Sequence, residues 1–159
     1  MEGAGWLLPK AEPIATKIKD VLNSVEEMEG TANLYSVTDF SEIQEQRAIA
    51  KFKQEREREY AEIIKECHKM LRHIERERQQ QEFTFEEVQE LEGDLGKINR
   101  WLSEAKERDF WDVPAREEVE KLISKAETSL ASFIQETYER MQNLEAENGT
   151  NVGVSNRET

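Results

Sequence analysis

Apolar residues recur at intervals of three and four through residues 41–147, and this spacing limits the fold more than any other feature of the chain. Such spacing places the apolar side chains on one face of an α-helix. Three stripes of this kind follow one another, at residues 49–74, 88–105 and 119–144. Because the connections between them are short, consecutive helices should run antiparallel. The sequence therefore predicts an antiparallel three-helix bundle over residues 41–147.

Local signals for helix starts precede each stripe. Ser41 and Gln44 form a capping-box pattern ahead of the first stripe, and Thr84 and Glu87 form another ahead of the second. Pro114 suits the first turn of the third helix, where the missing N–H of proline is tolerated. These signals predict three separate helices.

The first forty residues differ in kind from the rest. Short apolar segments at residues 6–8 and 31–37 are strand candidates, and between them Pro13 begins and Gly30 ends a helical pattern. We expect residues 1–40 to form a short β-α-β unit, a partial ferredoxin-like module with a right-handed crossover. The predicted fold class is therefore α+β, mostly α.

Two strands and one helix are not stable alone, and open strand edges pair readily with another chain. We therefore expect a two-fold symmetric homodimer through the edge of the β-α-β unit, with another protein partner as the alternative. Residues 148–159 have little apolar content and no periodicity. We expect them to form a disordered tail.

The net charge of −13 argues against a surface for nucleic acid or anionic membranes, because such binding depends on Lys and Arg. The charge is unevenly spread: residues 41–80 carry ten Lys or Arg against nine Asp or Glu, whereas residues 81–112 carry four against ten. We expect no tight, sequence-specific DNA binding by this chain alone. Cys67 is the only cysteine and no long apolar run is present, which together favour a cytoplasmic location.

The sequence has no pattern typical of a catalytic or metal site. Helical di-metal sites use Glu-x-x-His, but neither His68 nor His73 has a glutamate three residues before it. His73 and Glu77 do share a helix face, which is common on solvated helices. Cys67 falls within the first apolar stripe, where cysteine acts as a small hydrophobic residue. We predict no enzyme activity, no metal and no cofactor.

Arg56 interrupts the first stripe, and a guanidinium buried there must be paired, because an unpaired buried charge is very costly. Folding the first two helices back around residues 79–84 brings Arg56 level with the stretch WLSEAKERDFWD at residues 101–112. We predict that Asp109 pairs with Arg56 or accepts from nearby backbone N–H groups. Arg56, Arg108 and Asp109 are the predicted site residues, as structural or anion-binding charges. Trp101 should pack against the third helix or the β-α-β unit.

A further set of residues is spaced across most of the chain. It comprises Gly5-Trp6-Leu7-Leu8-Pro9, Arg56, Glu59-Tyr60, Glu62, Cys67, Phe83-Thr84-Phe85, Glu86, Glu92, Leu95, Trp101-Leu102 and Arg108-Asp109-Phe110. This set resembles the N-terminal region of the chromate-resistance regulators, the ChrB family, over roughly residues 5–141.

The resemblance implies a cytoplasmic regulator of chromate-transporter operons, with chromate as the signal. It also implies a ferredoxin-like module whose first strand, helix and strand would precede this segment, and a C-terminal domain in place of the polar tail. It assigns no role to Arg56, Arg108 or Asp109.

Three functions remain open at this point. The leading one is a non-enzymatic regulatory or interaction module of the chromate-resistance type. The second is a structural helical protein of a stress operon that acts through protein contacts. The third is an oxyanion-binding or enzymatic site near the bundle end, since arginine can hold an oxyanion through two parallel hydrogen bonds.

Overall fold

The computed structural model describes residues 6–151, and these form four helices. The helices are α1 (Glu12–Glu27), α2 (Glu42–Gln80), α3 (Phe85–Glu107) and α4 (Ala115–Asn151). None of them is both long and apolar enough to cross a membrane. The chain divides into two compact units, Met1–Ser41 and Glu42–Thr159, so that the first contains α1 and the second contains the other three helices.

In the first unit, α1 begins with a proline in its first turn and ends in a Schellman motif. The Gly30 N–H donates to the Val25 carbonyl (2.8 Å), and the Glu29 N–H donates to the Glu26 carbonyl (2.9 Å). A Cβ at position 30 would lie 2.9 Å from Val25 Cγ1. Close backbone approach therefore explains the glycine that ends this helix.

The predicted β-α-β unit is wrong. Within the described residues 6–41 no strand lies on either side of α1, and Trp6 and Tyr35 are 82% and 79% exposed. The apolar segments are too short to specify strands by alternation, and a two-stranded sheet under one helix is weak. Without strands in these described residues, the predicted ferredoxin-like fold class is also wrong. The sheet edge through which the homodimer was expected to form is likewise absent from them. Self-association itself stays a prediction.

In the second unit, α2, α3 and α4 all pack against one another. The core contains Tyr60 and Ile74 from α2, Leu91 from α3 and Phe133 from α4, none of which is exposed. The Phe83 ring, just before α3, stacks on Phe133 with centroids 5.2 Å apart. Burying a side chain of this size contributes about 1.5–3 kcal/mol. The helices thus lie where the three apolar stripes predicted them.

The connection between α2 and α3 is short, and both of the helix ends that it joins are capped. Gln81 has a positive φ of 59°, and the Glu82 N–H donates to the Glu77 carbonyl (3.0 Å), as in a Schellman motif. The Thr84 hydroxyl accepts from the Glu87 N–H (3.2 Å), which is the N-cap predicted from the sequence. These caps fix the point at which α3 turns back along α2.

Two helices extend beyond the residues that form the core. The buried residues of α2 begin at Tyr60, although the helix itself begins at Glu42. At the other terminus, α4 continues to Asn151, so that residues 148–151 of the predicted tail are helical. Residues 152–159, the rest of that tail, lie outside the described residues.

Trp101 lies on the flank of α3, partly buried and packed against the core. Lys97 Nζ is 4.7 Å from the centroid of its ring, which is a cation–π contact on the same helix. The indole therefore covers the core on one side and meets a solvated ammonium group on the other.

Candidate functional site at one end of the bundle

Five charged or hydroxyl-bearing residues meet where the α3–α4 connection crosses α2. We call them the bundle end: Arg56, Glu59, Tyr60, Arg108 and Asp109. The first three lie on α2 within two turns, and the last two directly follow the end of α3. All three site residues predicted from the sequence are therefore in this part of the molecule.

Asp109 organises the connection between α3 and α4. Its buried carboxylate accepts from the Tyr60 hydroxyl (3.1 Å), from the Trp111 N–H (3.3 Å) and from the Val113 N–H (3.2 Å). The backbone N–H groups belong to residues that have left α3 and have not yet entered α4. Asp109 therefore supplies acceptors that a buried loop would otherwise lack.

The Tyr60 side chain is fully buried and donates its hydroxyl proton to Asp109. Burial, followed by this hydrogen bond and the nearby Asp109 charge, raises the pKa of Tyr60 well above its ordinary value. The phenol therefore stays protonated at physiological pH and remains a hydrogen-bond donor. It fastens the loop to the middle of α2.

Arg56 does not pair with Asp109, so this alternative was wrong, whereas the other alternative, acceptance by Asp109 from nearby backbone N–H groups, is confirmed. Arg56 Nη1 lies 2.9 Å from Glu59 Oε2, one turn further along α2, and the Arg56 side chain is only 12% exposed. Asp109 already accepts from Tyr60 and two loop amides, which leaves its carboxylate occupied. The Arg56–Glu59 contact is an ion pair without a well-directed hydrogen bond, since Arg56 Nη1 is buried and has no partner of good geometry.

Arg108, at the end of α3, contacts the same Glu59 carboxylate as Arg56. Its Nη2 atom donates to Glu59 Oε2 (3.3 Å), and its side chain is 51% exposed. Two guanidinium groups, one buried and one half in solvent, thus converge on a single carboxylate oxygen. Arg108 and Glu59 link the end of α3 to α2.

Aromatic rings and one aliphatic side chain cover this end of the core. Phe52 on α2 stacks on Trp111 with centroids 5.3 Å apart, and Phe110 meets Trp111 edge to face. Phe110 is itself exposed, so it does not close the core. Val113, which sequence reasoning did not single out, is buried there instead.

The comparison with protein families identifies this chain. The family model described as "Protein ChrB, N-terminal" matches residues 1–144. The chain belongs to the ChrB N-terminal family. The same comparisons found no matching curated protein and no matching solved structure. The resemblance predicted from the spaced residues is therefore confirmed.

In this member of the ChrB N-terminal family, the bundle end brings two guanidinium groups together at Glu59. Each guanidinium has several N–H donors in a planar fork, which suits carboxylates, phosphates and similar anions. Glu59 Oε2 receives only one contact from each arginine. Of the two arginine side chains, Arg108 is the more exposed to solvent.

The five residues of the bundle end include no cysteine, serine or threonine. The free thiol of Cys67 is buried in the α2 seam two turns away, and burial raises its pKa. A protonated, enclosed thiol is a poor nucleophile. Cys67 therefore serves packing, as the apolar stripe indicated.

Side chains of the types that can bind a metal ion meet elsewhere in this ChrB N-terminal chain. His73 and Glu77 on α2 lie beside Glu87 of α3, and one donor atom from each lies within 4.8 Å of the others. His68 is exposed and does not take part. The sequence pattern paired His73 with Glu77 but missed Glu87. The predicted fold-back around residues 79–84 was the signal that places Glu87 opposite Glu77.

Proposed function

We propose that this chain is a non-enzymatic regulatory module of the chromate-resistance type, acting in the cytoplasm. The observation that carries this proposal is the family match over residues 1–144. The hydrogen bond between Tyr60 and Asp109 and the burial of the free Cys67 thiol support it as well, because these are structural rather than catalytic arrangements.

The net charge of −13 favours regulation through protein contacts over direct operator binding by this chain. The exposed apolar residues of the first unit, such as Trp6 and Tyr35, suit a partner-binding role. A regulator of this kind would transmit the chromate signal to a DNA-binding partner.

A deletion in the source organism tests the regulatory role. Removing the coding sequence should make the level of transporter transcript independent of chromate, whether that level is low or high. A plasmid copy of the coding sequence should restore the chromate response. An unchanged chromate response in the deletion strain would contradict the proposal. Measuring transcript and survival separately distinguishes loss of regulation from general stress sensitivity.

DNA binding is measured with the purified chain and its own upstream DNA at low and moderate salt. We expect weak binding that disappears as salt rises, the pattern of non-specific contacts. A nanomolar, sequence-specific complex at physiological salt would show that the chain binds its operator directly.

The convergence of Arg56 and Arg108 on one carboxylate oxygen favours a second candidate function, the binding of chromate itself. The test is a titration with chromate and with sulfate at constant ionic strength, in which the unfolding temperature is measured at each concentration. Binding at the bundle end predicts a rise that is lost in Arg108→Gln and kept in Arg100→Gln, which changes an exposed arginine of α3. Equal responses in the two variants would contradict this candidate.

A further inference from the structure

A second group of polar side chains lies far along α2 from the bundle end. His73 is seventeen residues from Arg56, about 25 Å along the helix axis at about 1.5 Å per residue. His73 and Glu77 are one turn apart on α2, and Glu87 is in the first turn of α3. The group therefore joins two helices next to the loop that connects them.

Two of the distances within this group are close to those between donor atoms that bind one metal ion. His73 Nε2 lies 3.3 Å from Glu77 Oε1 and 3.3 Å from Glu87 Oε2. Atoms bound to one metal at about 2.1 Å, with tetrahedral or octahedral angles, lie about 3.0–3.4 Å apart. One donor atom from each of the three residues falls within 4.8 Å of the other two.

Two carboxylate oxygens in the group are buried without a hydrogen bond. Glu77 is 2% exposed, and its Oε2 has no partner, while its Oε1 accepts from Arg76 Nε (2.9 Å). Glu87 Oε2 is also buried and accepts no hydrogen bond, although His73 Nε2 is close. Burying an unpartnered carboxylate oxygen is costly, so each of these atoms calls for a partner.

A protonated His73 does not provide that partner for both glutamates. Its Nε2 carries one N–H, which can point at one acceptor only. The unsatisfied Glu87 Oε2 also shows that the ring N–H is not directed at it. A cation between the three residues would instead take the imidazole lone pair and a carboxylate oxygen from each helix at once.

We propose that His73, Glu77 and Glu87 bind one divalent first-row transition-metal ion, of which zinc is the reference case. One imidazole nitrogen with two carboxylate oxygens is a donor set that such ions take, whereas calcium and magnesium prefer oxygen alone. Arg76 contacts Glu77 Oε1, the oxygen near His73, and so positions that carboxylate while Oε2 stays without a partner. The ion fastens the end of α2 to the start of α3, and water completes its coordination.

Metal titration of the full chain, stripped with a chelator, is the direct test. Isothermal titration with Zn²⁺ should give one saturable equivalent, and Co²⁺ should give visible absorption bands of a protein-bound ion. Glu87→Gln and His73→Gln should each weaken binding at least about tenfold. Their controls, Glu86→Gln and His68→Gln, change exposed neighbours of the same type and should bind as the wild type does.

Glu87→Gln is the decisive variant, because Glu87 is partly exposed in the first turn of α3, whereas Glu77 is fully enclosed and its replacement could disturb folding. A Cys67→Ala variant that retains the binding excludes the thiol as the source of the signal. Absence of a saturable equivalent, or equal affinity of Glu87→Gln and Glu86→Gln, overturns the proposal.

Discussion

The two ends of the α2–α3 hairpin each bury a carboxylate, but in opposite circumstances. At the bundle end, Asp109 accepts from Tyr60 and from two loop amides, so both of its oxygens have partners. At the other end, Glu77 Oε2 and Glu87 Oε2 are enclosed without any. A fully partnered carboxylate stabilises a fold, whereas an unpartnered one points to a missing ligand. The first is a structural fastening, and the second is a candidate binding site.

The largest expected effect comes from Asp109→Ala. The substitution leaves the Tyr60 hydroxyl and the Val113 N–H without their acceptor, and each buried orphan costs about 1–3 kcal/mol. We expect the free energy of unfolding to fall by about 2–4 kcal/mol, measured by urea denaturation. Glu104→Ala, an exposed site on α3, is the control and should change it by less than about 0.5 kcal/mol. Similar changes in the free energy of unfolding for the two variants would contradict the structural role of Asp109.

At the opposite end of the hairpin, which contains Glu77 and Glu87, binding of a metal ion should raise the free energy of unfolding. Zn²⁺ at about one hundred times its dissociation constant should raise the free energy of unfolding by about 2.7 kcal/mol if it binds the folded state alone. The comparison is between denaturation curves with zinc and with chelator. Glu87→Gln should abolish the difference and Glu86→Gln should preserve it. If zinc does not change the free energy of unfolding of the wild type, the end that contains Glu77 and Glu87 is not a metal site and the contrast between the two ends is wrong.

A carboxylate that is paired but partly exposed provides an intermediate case. Burial alone would raise the pKa of Glu136, but hydrogen bonds from Ser132 and Arg78 outweigh it and hold the pKa below its ordinary value. A lowered folded-state pKa stabilises the protein above the unfolded pKa, and this contribution is lost as pH falls through the folded pKa. Glu136→Gln should therefore be less stable at neutral pH by under about 1 kcal/mol, after solvent screening.

The pH profile is the readout for Glu136. The difference in denaturation midpoint between the wild type and Glu136→Gln should shrink as the pH falls below the ordinary glutamate range of about 4.3. Gln is the matched replacement because it keeps the size of the side chain. A difference that stays constant from neutral to acidic pH would show that the Arg78–Glu136 ion pair does not stabilise the bundle.

The smallest expected effect lies in the loop beside Glu77. Gln81 has a φ of 59°, a left-handed conformation that a non-glycine residue adopts at a cost of about 1–2 kcal/mol. Gln81→Gly should raise the free energy of unfolding by about 0.5 kcal/mol, because relief of this left-handed strain outweighs the greater freedom of glycine in the unfolded chain. Gln79→Gly, inside the last turn of α2, should lower it by about 0.5–1 kcal/mol. Changes of the same sign would contradict the capping argument.

Helix positions could be predicted from the sequence because they depend on local patterns. The stripes and the cap at Thr84 predicted where α3 begins, and the structure has it there. The strands failed because segments of three to seven residues carry too little pattern to outweigh the absence of neighbouring strands.

The site was harder to predict than the helices, since it depends on which of several donors reaches an acceptor. The antiparallel fold-back brought Arg56 and Asp109 to the same level, but Tyr60 on the same helix takes the carboxylate, and Arg56 turns to Glu59. The roles of Arg56, Arg108 and Asp109 in anion binding stay predictions. Glu87 could not be recognised from ligand spacing within one helix, because it lies on α3 and only the fold-back places it beside Glu77.

The segment of α2 before its first buried residue, Tyr60, should open locally more easily than the rest of the helix. From Glu42 to about residue 51 the helix has few buried side chains, whereas Tyr60 and the residues after it are enclosed by α3 and α4. Backbone amides in the first part should exchange with deuterium by fraying from the helix start, and those after Tyr60 only on unfolding of the whole bundle. One continuous helix thus consists of two segments with separate protection against hydrogen exchange.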